Sequence, residues 1–518
     1  MVEGSPRTMT VDPTGPGDDS APIARGATGS VTGMVARGGG SMVLARLLRT
    51  LLTVLGMLVL ARLLTPADFG IVAITNTLTV LSLVILEGAI DFPTLRRDAL
   101  SRDAAQSMIW IALLFLVPFA AVIYAVAPAI EAALGFPDLG WALRGVIPVF
   151  FLQVFFVSGG AILRRQHRFK AAALVSVGSV GVYMSLAVGL AILDHGVWSI
   201  IIAQNIALLV TAIVLARLAS ISLRWPRRLS FAAVGRVGAY GASSRVLAWF
   251  WSSIDTIAVG VVLGPAAVGL YARAYNISLQ LKEPFTALDG PTRQAMVAVR
   301  NRDGNLVAPA VQMLRLLTIV TAAAAALCVV LRQSIVLILL GDQWQASAAA
   351  LAILVLGLPA RIGLMFFDGL AATAGSMPNM MLRHALLCGV VGSGVFLAAP
   401  HGIVAVAAVV SGAMYVALLL PARAAERALT GGRLLLLSAM VPGLLLGAAL
   451  LAIGEIVLVP LAAGNLLAAL AIVLPVYGVI AVLIGLALPN SWLPGALPAR
   501  RATLLRRFGA APQIQTRG

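Results

Sequence analysis

Apolar stretches about as long as a bilayer is thick recur along the whole middle of this 518-residue chain. A helix needs roughly 20 such residues to cross the hydrocarbon core. The stretches lack the period-two alternation of a membrane barrel, so helices are favoured over strands. Fourteen spans are predicted, at 42–64, 70–92, 107–130, 141–163, 171–193, 196–216, 237–263, 266–290, 308–331, 345–367, 378–399, 402–421, 434–455 and 463–488.

The composition excludes an ordinary soluble protein. Apolar residues make up 60% of the chain and charged residues 11%, and the mean hydropathy is +0.99, which leaves too little polar surface for water. Cys328 and Cys388 both lie in apolar runs, and the four histidines are scattered. This inventory disfavours a disulfide framework, a metal site or a Ser-His-Asp hydrolase, and we predict neither a metal nor a cofactor.

The positive charges are distributed by membrane side. Of the 37 lysines and arginines, 26 lie in loops on one side, only Arg332 lies on the other, and ten fall within the spans. The positive-inside rule therefore places both termini in the cytoplasm. The net charge of +17 thus reflects topology and contact with anionic lipids, which argues against a nucleic-acid partner.

An internal repeat divides the membrane part. A shift of 199 residues superposes residues 42–73 on 241–272 without a gap. Because six spans separate the two segments, the copies have the same orientation, which is a parallel repeat. The matched pairs are Arg46 with Arg245, Leu64 with Leu263, Pro66 with Pro265, Ala67 with Ala266, Gly70 with Gly269 and Ala73 with Ala272.

The predicted fold class is an all-α polytopic membrane protein with about 14 transmembrane helices. Two six-helix parallel repeats are followed by two extra C-terminal helices. The predicted divisions are a disordered cytoplasmic tail at 1–41, the first repeat at 42–217, a cytoplasmic linker at 218–236, the second repeat at 237–421, helices 13 and 14 at 422–488 and a basic cytoplasmic tail at 489–518.

Three segments carry a family resemblance. The stretch from Leu60 to Gly70 (LARLLTPADFG) resembles the first hairpin of the Wzx-type polysaccharide flippases, and the stretch from Asp255 to Tyr275 resembles its counterpart in the second half. Leu340-Gly341-Asp342-Gln343-Trp344 is similar to that family's loop between helices 9 and 10. These flippases belong to the multidrug/oligosaccharidyl-lipid/polysaccharide transporter superfamily, and the resemblance covers about residues 42–488.

The resemblance implies a transporter rather than an enzyme. Family members form two six-helix lobes around a central cavity, which opens to the two membrane faces in turn. The implied substrate is an oligosaccharide on a lipid carrier, typically undecaprenyl pyrophosphate. It crosses the bacterial cytoplasmic (inner) membrane for exopolysaccharide or lipopolysaccharide biosynthesis, and a polymerase and a chain-length regulator are the implied partners.

Moving a pyrophosphate through hydrocarbon requires fixed positive charge in a wet cavity, since desolvating such a group is costly. Arginine suits this role because its forked donors match phosphate oxygens. Arg46 and Arg245 occupy equivalent places in the two repeats, and Arg49 shares a helical face with Arg46. We therefore predict that all three line the cavity. The competing interpretation is that they snorkel to cytoplasmic headgroups.

A second set of predicted substrate-binding residues lies deeper in the spans. Arg273 stands between Tyr271 and Tyr275 and is followed by Asn276, which suggests a sugar-facing polar patch. Arg361 follows a proline within the tenth span. An arginine kept inside a span is expected to face a cavity or a partner, because burying it in lipid costs about 2.5–3.5 kcal/mol on insertion scales.

Three intramembrane carboxylates are candidates for ion pairing or ion coupling. Asp255 lies too deep for its short side chain to reach water easily, so it either pairs with an arginine or titrates during transport. Glu87 and Asp91 share a helical face at i and i+4. They either hold a proton or cation between them or form a solvated helix end facing Arg96 and Arg97.

Two other functions remain open from the sequence. A membrane glycosyltransferase or polymerase acting on the same lipid carrier would need catalytic residues in a large external loop, whereas the predicted external loops are short. A multidrug exporter of the same superfamily would favour an acidic cavity, whereas the spans hold more basic than acidic residues. No nucleotide-binding motif of the G-x-x-x-x-G-K-[ST] type occurs, so transport is expected to use an ion gradient, the membrane potential or mass action.

Overall fold

The computed structural model describes residues 31–91, 102–221, 224–226, 229, 235–286, 292–293, 296–300, 306–374, 380–458, 473, 475 and 477. Within these residues the regular structure is helical. The long helices form one multi-pass membrane bundle, as the recurring apolar runs predict.

The N-terminal half, here residues 31–221, contains seven described helices. The second continues into a π-helical turn at Glu87–Asp91. The seven are α1 (Val31–Leu63), α2 (Pro66–Leu86), α3 (Arg102–Leu134), the short α4 (Leu139–Gly145), α5 (Ile147–Arg165), α6 (Phe169–Ile192) and α7 (Val197–Leu218).

The C-terminal half, here residues 235–458, begins with a helix equivalent in sequence to α1. Its described helices are α8 (Gly235–Leu263), α9 (Pro265–Thr286), α10 (Val307–Val330), α11 (Arg332–Leu339), α12 (Ser347–Leu356), α13 (Leu358–Thr373), α14 (Met380–Ala398), α15 (Ile403–Thr430), α16 (Leu435–Ser438) and α17 (Val441–Ile453).

Eleven helical segments of the described chain are long and apolar enough to cross a membrane. The helices α1 and α9 coincide with two further predicted spans but fall outside those eleven. In α9 the charged residues Arg273, Lys282 and Glu283 lower the hydropathy of the segment. The fourteenth predicted span, at 463–488, lies outside the described residues except at three positions.

The helix α1 begins at Val31, within the segment predicted as a disordered tail. The difference has a simple cause. The boundary at 42 marks where the apolar run begins, whereas backbone hydrogen bonding in a helix can continue beyond the hydrocarbon core.

Two spans are broken at corresponding places in the two halves. The fourth predicted span divides into α4 and α5 just before Pro148, and the tenth divides into α12 and α13 just before Pro359. Proline has no amide hydrogen and clashes with the preceding turn, which explains each break. Matching breaks in equivalent spans support the predicted repeat.

Helix α2 forms the seam between the halves, because it packs along both α8 and α9. On the other side of the N-terminal half, α1 packs on α6. Helix α17 lies against α10, where a side chain at Gly443 or Gly447 would meet the backbone or methyl groups of the neighbouring helix. The ion pair between Arg332 and Glu455 joins this added helix to the bundle.

Candidate functional site

The turns from α1 to α2 and from α8 to α9 lie together, and we call this side of the bundle the hairpin end. In the first turn Thr65 and Asp68 form a capping box, with the Asp68 carboxylate accepting from the Thr65 amide at 3.0 Å. In the second turn the equivalent residue is Gly264, whose φ of 85° is accessible mainly to glycine. Both turns therefore start a helix sharply at a proline.

The two halves meet at the hairpin end through a reciprocal glycine–proline contact. A Cβ atom added to Gly70 would overlap the carbonyl oxygen of Pro265, and one added to Gly269 would overlap that of Pro66. These four residues are the matched pairs of the sequence repeat. Glycine is required because the backbones of α2 and α9 approach too closely for any side chain. The hairpin end is therefore closed.

The loop that contains Gln343 and Trp344, in the C-terminal half, stabilises the closed hairpin end by hydrogen bonds to α1. Gln343 donates to the carbonyl oxygens of Ala61 at 2.7 Å and Leu64 at 3.2 Å. The indole N–H of the fully buried Trp344 also donates to Ala61, at 2.8 Å. The carbonyls at the end of a helix have no partner within the helix, so this loop satisfies the end of α1.

Phe69 connects the closed end to the interior of the bundle. One side of its ring meets Trp344 edge to face, with 5.3 Å between ring centroids. The guanidinium carbon of Arg273 lies 4.0 Å from the centre of the same ring. Such a cation–π contact is worth about 0.5–2 kcal/mol, depending on desolvation. Arg273 thus reaches from α9 across the seam to α2.

Arg273 is free to bind an anion. Its Nε atom is buried and has no hydrogen-bond partner among the described residues. At 1.5 Å per residue it lies about 12 Å from the start of α9, well inside the bilayer. No carboxylate of the described chain forms an ion pair with it. A guanidinium held in this way offers several N–H donors to a ligand.

The predicted patch of Arg273 with Tyr271 and Tyr275 is not formed. Residues two apart on a helix point about 200° away from each other. The tyrosines therefore face the interior of the C-terminal half, while Arg273 faces Phe69. Asn276 is half-buried and makes no side-chain hydrogen bond within the described part of the chain.

A ladder of polar side chains runs through the C-terminal half. The buried Asp255 carboxylate accepts from the Tyr271 hydroxyl at 2.7 Å and from the Thr256 amide at 2.7 Å. Tyr271 stacks on Tyr275 with ring centroids 6.0 Å apart. The guanidinium of Arg361 lies over the Tyr275 ring at 5.1 Å. Hydrogen bonds thus hold Asp255, and Arg361 acts on its carboxylate from a distance.

Among the predicted cavity arginines whose side chains the structure describes, Arg361 is the least exposed. Its side chain is 9% exposed, and its Nε and one terminal nitrogen have no hydrogen-bond partner among the described residues. A buried donor without a hydrogen-bond partner costs about 1–3 kcal/mol, and more when the group is charged. Such an arrangement inside a span is typical of a functional site.

The structure places the remaining predicted residues near the opposite end of the bundle. Arg245 forms an ion pair with Glu87 across the seam between α8 and α2, and each side chain is about one-third exposed. Arg49 is exposed on α1. The side chains of Arg46 and Asp91 lie outside the described residues, as do Arg96 and Arg97. Arg245 therefore has an acidic partner, unlike Arg273.

Uncharged polar side chains also lie inside the bilayer. Gln153 of α5, Tyr183 of α6 and Gln204 of α7 border one cavity in the N-terminal half. A search of the spans for charge alone misses them, although polar residues in a span signal function in the same way. Among the described residues there is no group of three metal-ligating side chains.

Comparisons with known proteins agree with this architecture. A family model described as "Polysaccharide biosynthesis protein" matches residues 59–349, more than half of the chain. A search of curated proteins found no match.

Two solved structures resemble the fold over most of their length. One is the lipid II flippase MurJ in an inward closed conformation, with a TM-score of 0.63 and 13% identity, covering 80% of this chain and 97% of that one. The other is an inward-facing multidrug resistance MATE family transporter of the MOP superfamily, with a TM-score of 0.60 and 15% identity, covering 79% and 96%. At these identities the likeness concerns the fold.

Proposed function

Because the chain belongs to the polysaccharide biosynthesis protein family, we propose that this multi-pass membrane protein carries a lipid-linked saccharide across the bilayer. The family match confirms the kinship predicted from the hairpin motifs. The observation that carries the proposal is Arg273, an unpaired guanidinium in the membrane interior at the seam between the halves. The cargo is a saccharide on undecaprenyl pyrophosphate in the bacterial inner membrane.

The chemistry of Arg273 suits the phosphates of this cargo. Hydrogen bonds to a charged group are worth about 1.5–3 kcal/mol each, and more where water is excluded. The aromatic face of Phe69 holds the guanidinium without neutralising it, so its N–H donors stay available to phosphate oxygens. Arg361 supplies a second positive charge in the C-terminal half.

Transport proceeds by alternating access. In this proposal the positive-inside charge pattern orients the hairpin end outward, and the glycine–proline contact there closes the protein to the outside. Release requires α2 and α9 to separate at Gly70 and Gly269, and the loop at Gln343 and Trp344 to leave α1. Each of these contacts is a small packed surface or a few hydrogen bonds, which suits a reversible gate.

The ion pair and the buried carboxylate have separate roles. Glu87 and Arg245 link the halves at the cytoplasmic end, where their partial exposure makes the pair weak and easily broken. Asp255 maintains the packing of α8 on α9 through Tyr271. A coupling ion would act on this carboxylate, since it is the buried acidic group of the seam helices in the described chain.

The other functional classes fit less well. The fold likeness to a MATE transporter accommodates a drug exporter, yet Arg273 and Arg361 keep guanidinium nitrogens without hydrogen-bond partners in the interior of the described chain, and their positive charge repels cationic drugs. An enzyme acting on the same carrier is disfavoured by the short external turns. Synthesis of exopolysaccharide or lipopolysaccharide is the pathway class we assign, with a polymerase and a chain-length regulator as partners.

The test is complementation of a host that lacks the gene. Cells carrying Arg273→Ala should accumulate lipid-linked saccharide on the cytoplasmic leaflet, and Arg273→Lys should restore part of the transport. Arg217→Ala, which removes an exposed arginine at the end of α7, is the matched control and should behave as wild type. Normal flipping by Arg273→Ala at equal expression would overturn the proposal.

A further inference from the structure

The N-terminal half contains a mainly apolar pocket with four polar side chains, which the proposed transport path does not include. A cavity of about 190 Å³ lies among α2, α5, α6 and α7. At about 30 Å³ per water, this is room for about six waters or for one sugar ring. Gln153, Ser179, Tyr183 and Gln204 give it polar groups, and Phe156 contributes an aromatic wall. We call it the polar pocket.

The polar groups of this pocket lack partners. Gln204, Ser179 and the Tyr183 hydroxyl make no side-chain hydrogen bond within the described residues. An amide or hydroxyl at bilayer depth without a partner costs free energy unless water or a ligand satisfies it. Three such groups facing one cavity therefore indicate a place that holds a polar ligand.

One wall of the pocket is held in position by hydrogen bonds. The Gln153 side chain accepts from the Ser82 hydroxyl at 2.7 Å and donates to the Thr79 carbonyl at 3.3 Å. Its amide keeps one N–H for a ligand. A donor that is held in position orients the ligand, and neighbouring donors that can still rotate allow the site to accept ligands of slightly different structure.

The pocket adjoins the proposed phosphate site. At 1.5 Å per residue, Gln204 lies about 10 Å from the start of α7 and Tyr183 about 14 Å from the end of α6. These two helix ends belong to the hairpin end, since Gly196 lies beside Asp68. Arg273 lies at nearly the same depth, and its charge acts on Tyr183 across the seam. A group attached directly to an Arg273-bound phosphate would therefore reach the pocket.

From this juxtaposition we propose that the polar pocket binds the first sugar of the cargo, the one joined to the pyrophosphate. This inference rests on the proposed function and names its specificity site. Gln204 and Tyr183 contact the hydroxyl groups of the sugar, and Phe156 covers its apolar face. Sugars suit such a wall because they carry hydroxyls around a ring with apolar C–H faces.

The experiment compares two kinds of lipid probe on the purified full-length protein. One is undecaprenyl pyrophosphate alone, and the other is the same lipid bearing one hexose or N-acetylhexosamine, from a panel that includes glucose, galactose and N-acetylglucosamine. Wild type should bind at least one sugar-bearing probe more tightly than the bare lipid. Gln204→Leu and Tyr183→Phe should each remove about twofold to tenfold of that gain and leave binding of the bare lipid unchanged.

Three controls separate the possible failures. Gln333→Leu and Tyr124→Phe alter exposed side chains elsewhere and should bind both probes as wild type does. Arg273→Ala should weaken both probes alike. Two results would overturn the pocket assignment alone. In one, the pocket variants still bind a sugar-bearing probe more tightly than the bare lipid by the same factor as wild type. In the other, wild type binds no sugar-bearing probe more tightly than the bare lipid. Failure of wild type to bind any probe would overturn the proposed function with it.

Discussion

Gly70→Ala should open the hairpin end. The added methyl group would overlap the carbonyl oxygen of Pro265, which belongs to the backbone and cannot move aside like a flexible side chain. Inserting a methyl into a packed contact costs about 1–3 kcal/mol. At 1.4 kcal/mol per factor of ten, the ratio of closed to open molecules should fall by about fivefold to 150-fold.

Cysteine labelling from outside measures this shift. Ala272→Cys places a thiol one turn below Gly269, at a position that is 8% exposed in the closed state. The native Cys328 and Cys388 are first replaced by alanine. A membrane-impermeant maleimide should then label the reporter at least five times faster in the Gly70→Ala background.

Gly178→Ala is the matched control for this experiment. A Cβ at Gly178 meets nothing within 4 Å, so this variant has the same gain in helix propensity, up to about 1 kcal/mol, without the overlap. Its labelling rate should equal that of the parent. Equal rates for Gly70→Ala and Gly178→Ala would refute the view that the glycine contact closes the outer side.

Three further predictions concern single contacts. Arg361→Met should abolish transport at wild-type expression, because it removes a positive charge that the cargo needs in the interior; normal flipping by this variant would contradict the role assigned to Arg361. Glu87→Arg and Arg245→Glu should each lower transport only a few-fold, and their combination should restore it, since a partly exposed pair is worth about 0.2–1 kcal/mol. Trp344→Phe should lose one hydrogen bond, worth about 0.5–1.5 kcal/mol, and speed labelling at Ala272→Cys, whereas unchanged labelling would remove Trp344 from the gate.

Much of the fold follows directly from the sequence. Apolar run length predicts the spans because hydrocarbon thickness sets helix length, and the described helices lie within a few residues of most of them. The breaks before Pro148 and Pro359 could not be predicted from proline alone, because α3 continues through Pro118 and Pro128 and α15 continues through Pro421. The early start of α1 at Val31 was not readable from hydropathy, because backbone hydrogen bonding beyond the hydrocarbon core leaves no apolar signal.

The site was less predictable, since function depends on which helix faces which. Charge alone identifies Arg273 and Arg361, and both lie in the interior, Arg361 buried and Arg273 half-buried. The helical face of Arg273, away from Tyr271, could have been deduced from the 100° rotation per residue. The pairing of Arg245 with Glu87 could not, because residues far apart in sequence meet only through tertiary packing.

Part of the candidate site consists of uncharged residues, which an average of hydropathy along the chain does not reveal. Gln204 and its neighbour Asn205 lie in a mostly apolar helix, where a window average hides two amides among many leucines and isoleucines. Gly70 and Gly269 were recognised as matched turn residues, yet the repeat alone does not say that each contacts the other's proline. A search of the spans for amides and hydroxyls would have indicated the polar pocket.

A flipping assay with purified protein tests the phosphate role of Arg273 most directly. Wild type, Arg273→Met and Arg217→Ala are reconstituted into vesicles that contain a fluorescent undecaprenyl pyrophosphate saccharide. An impermeant quencher then reports how fast the inner-leaflet headgroups reach the outer surface. We predict rapid exposure with wild type and Arg217→Ala, and at least a tenfold slower rate with Arg273→Met, the loss of one charge-assisted contact. Equal rates for wild type and Arg273→Met, in vesicles holding equal amounts of folded protein, would contradict the account.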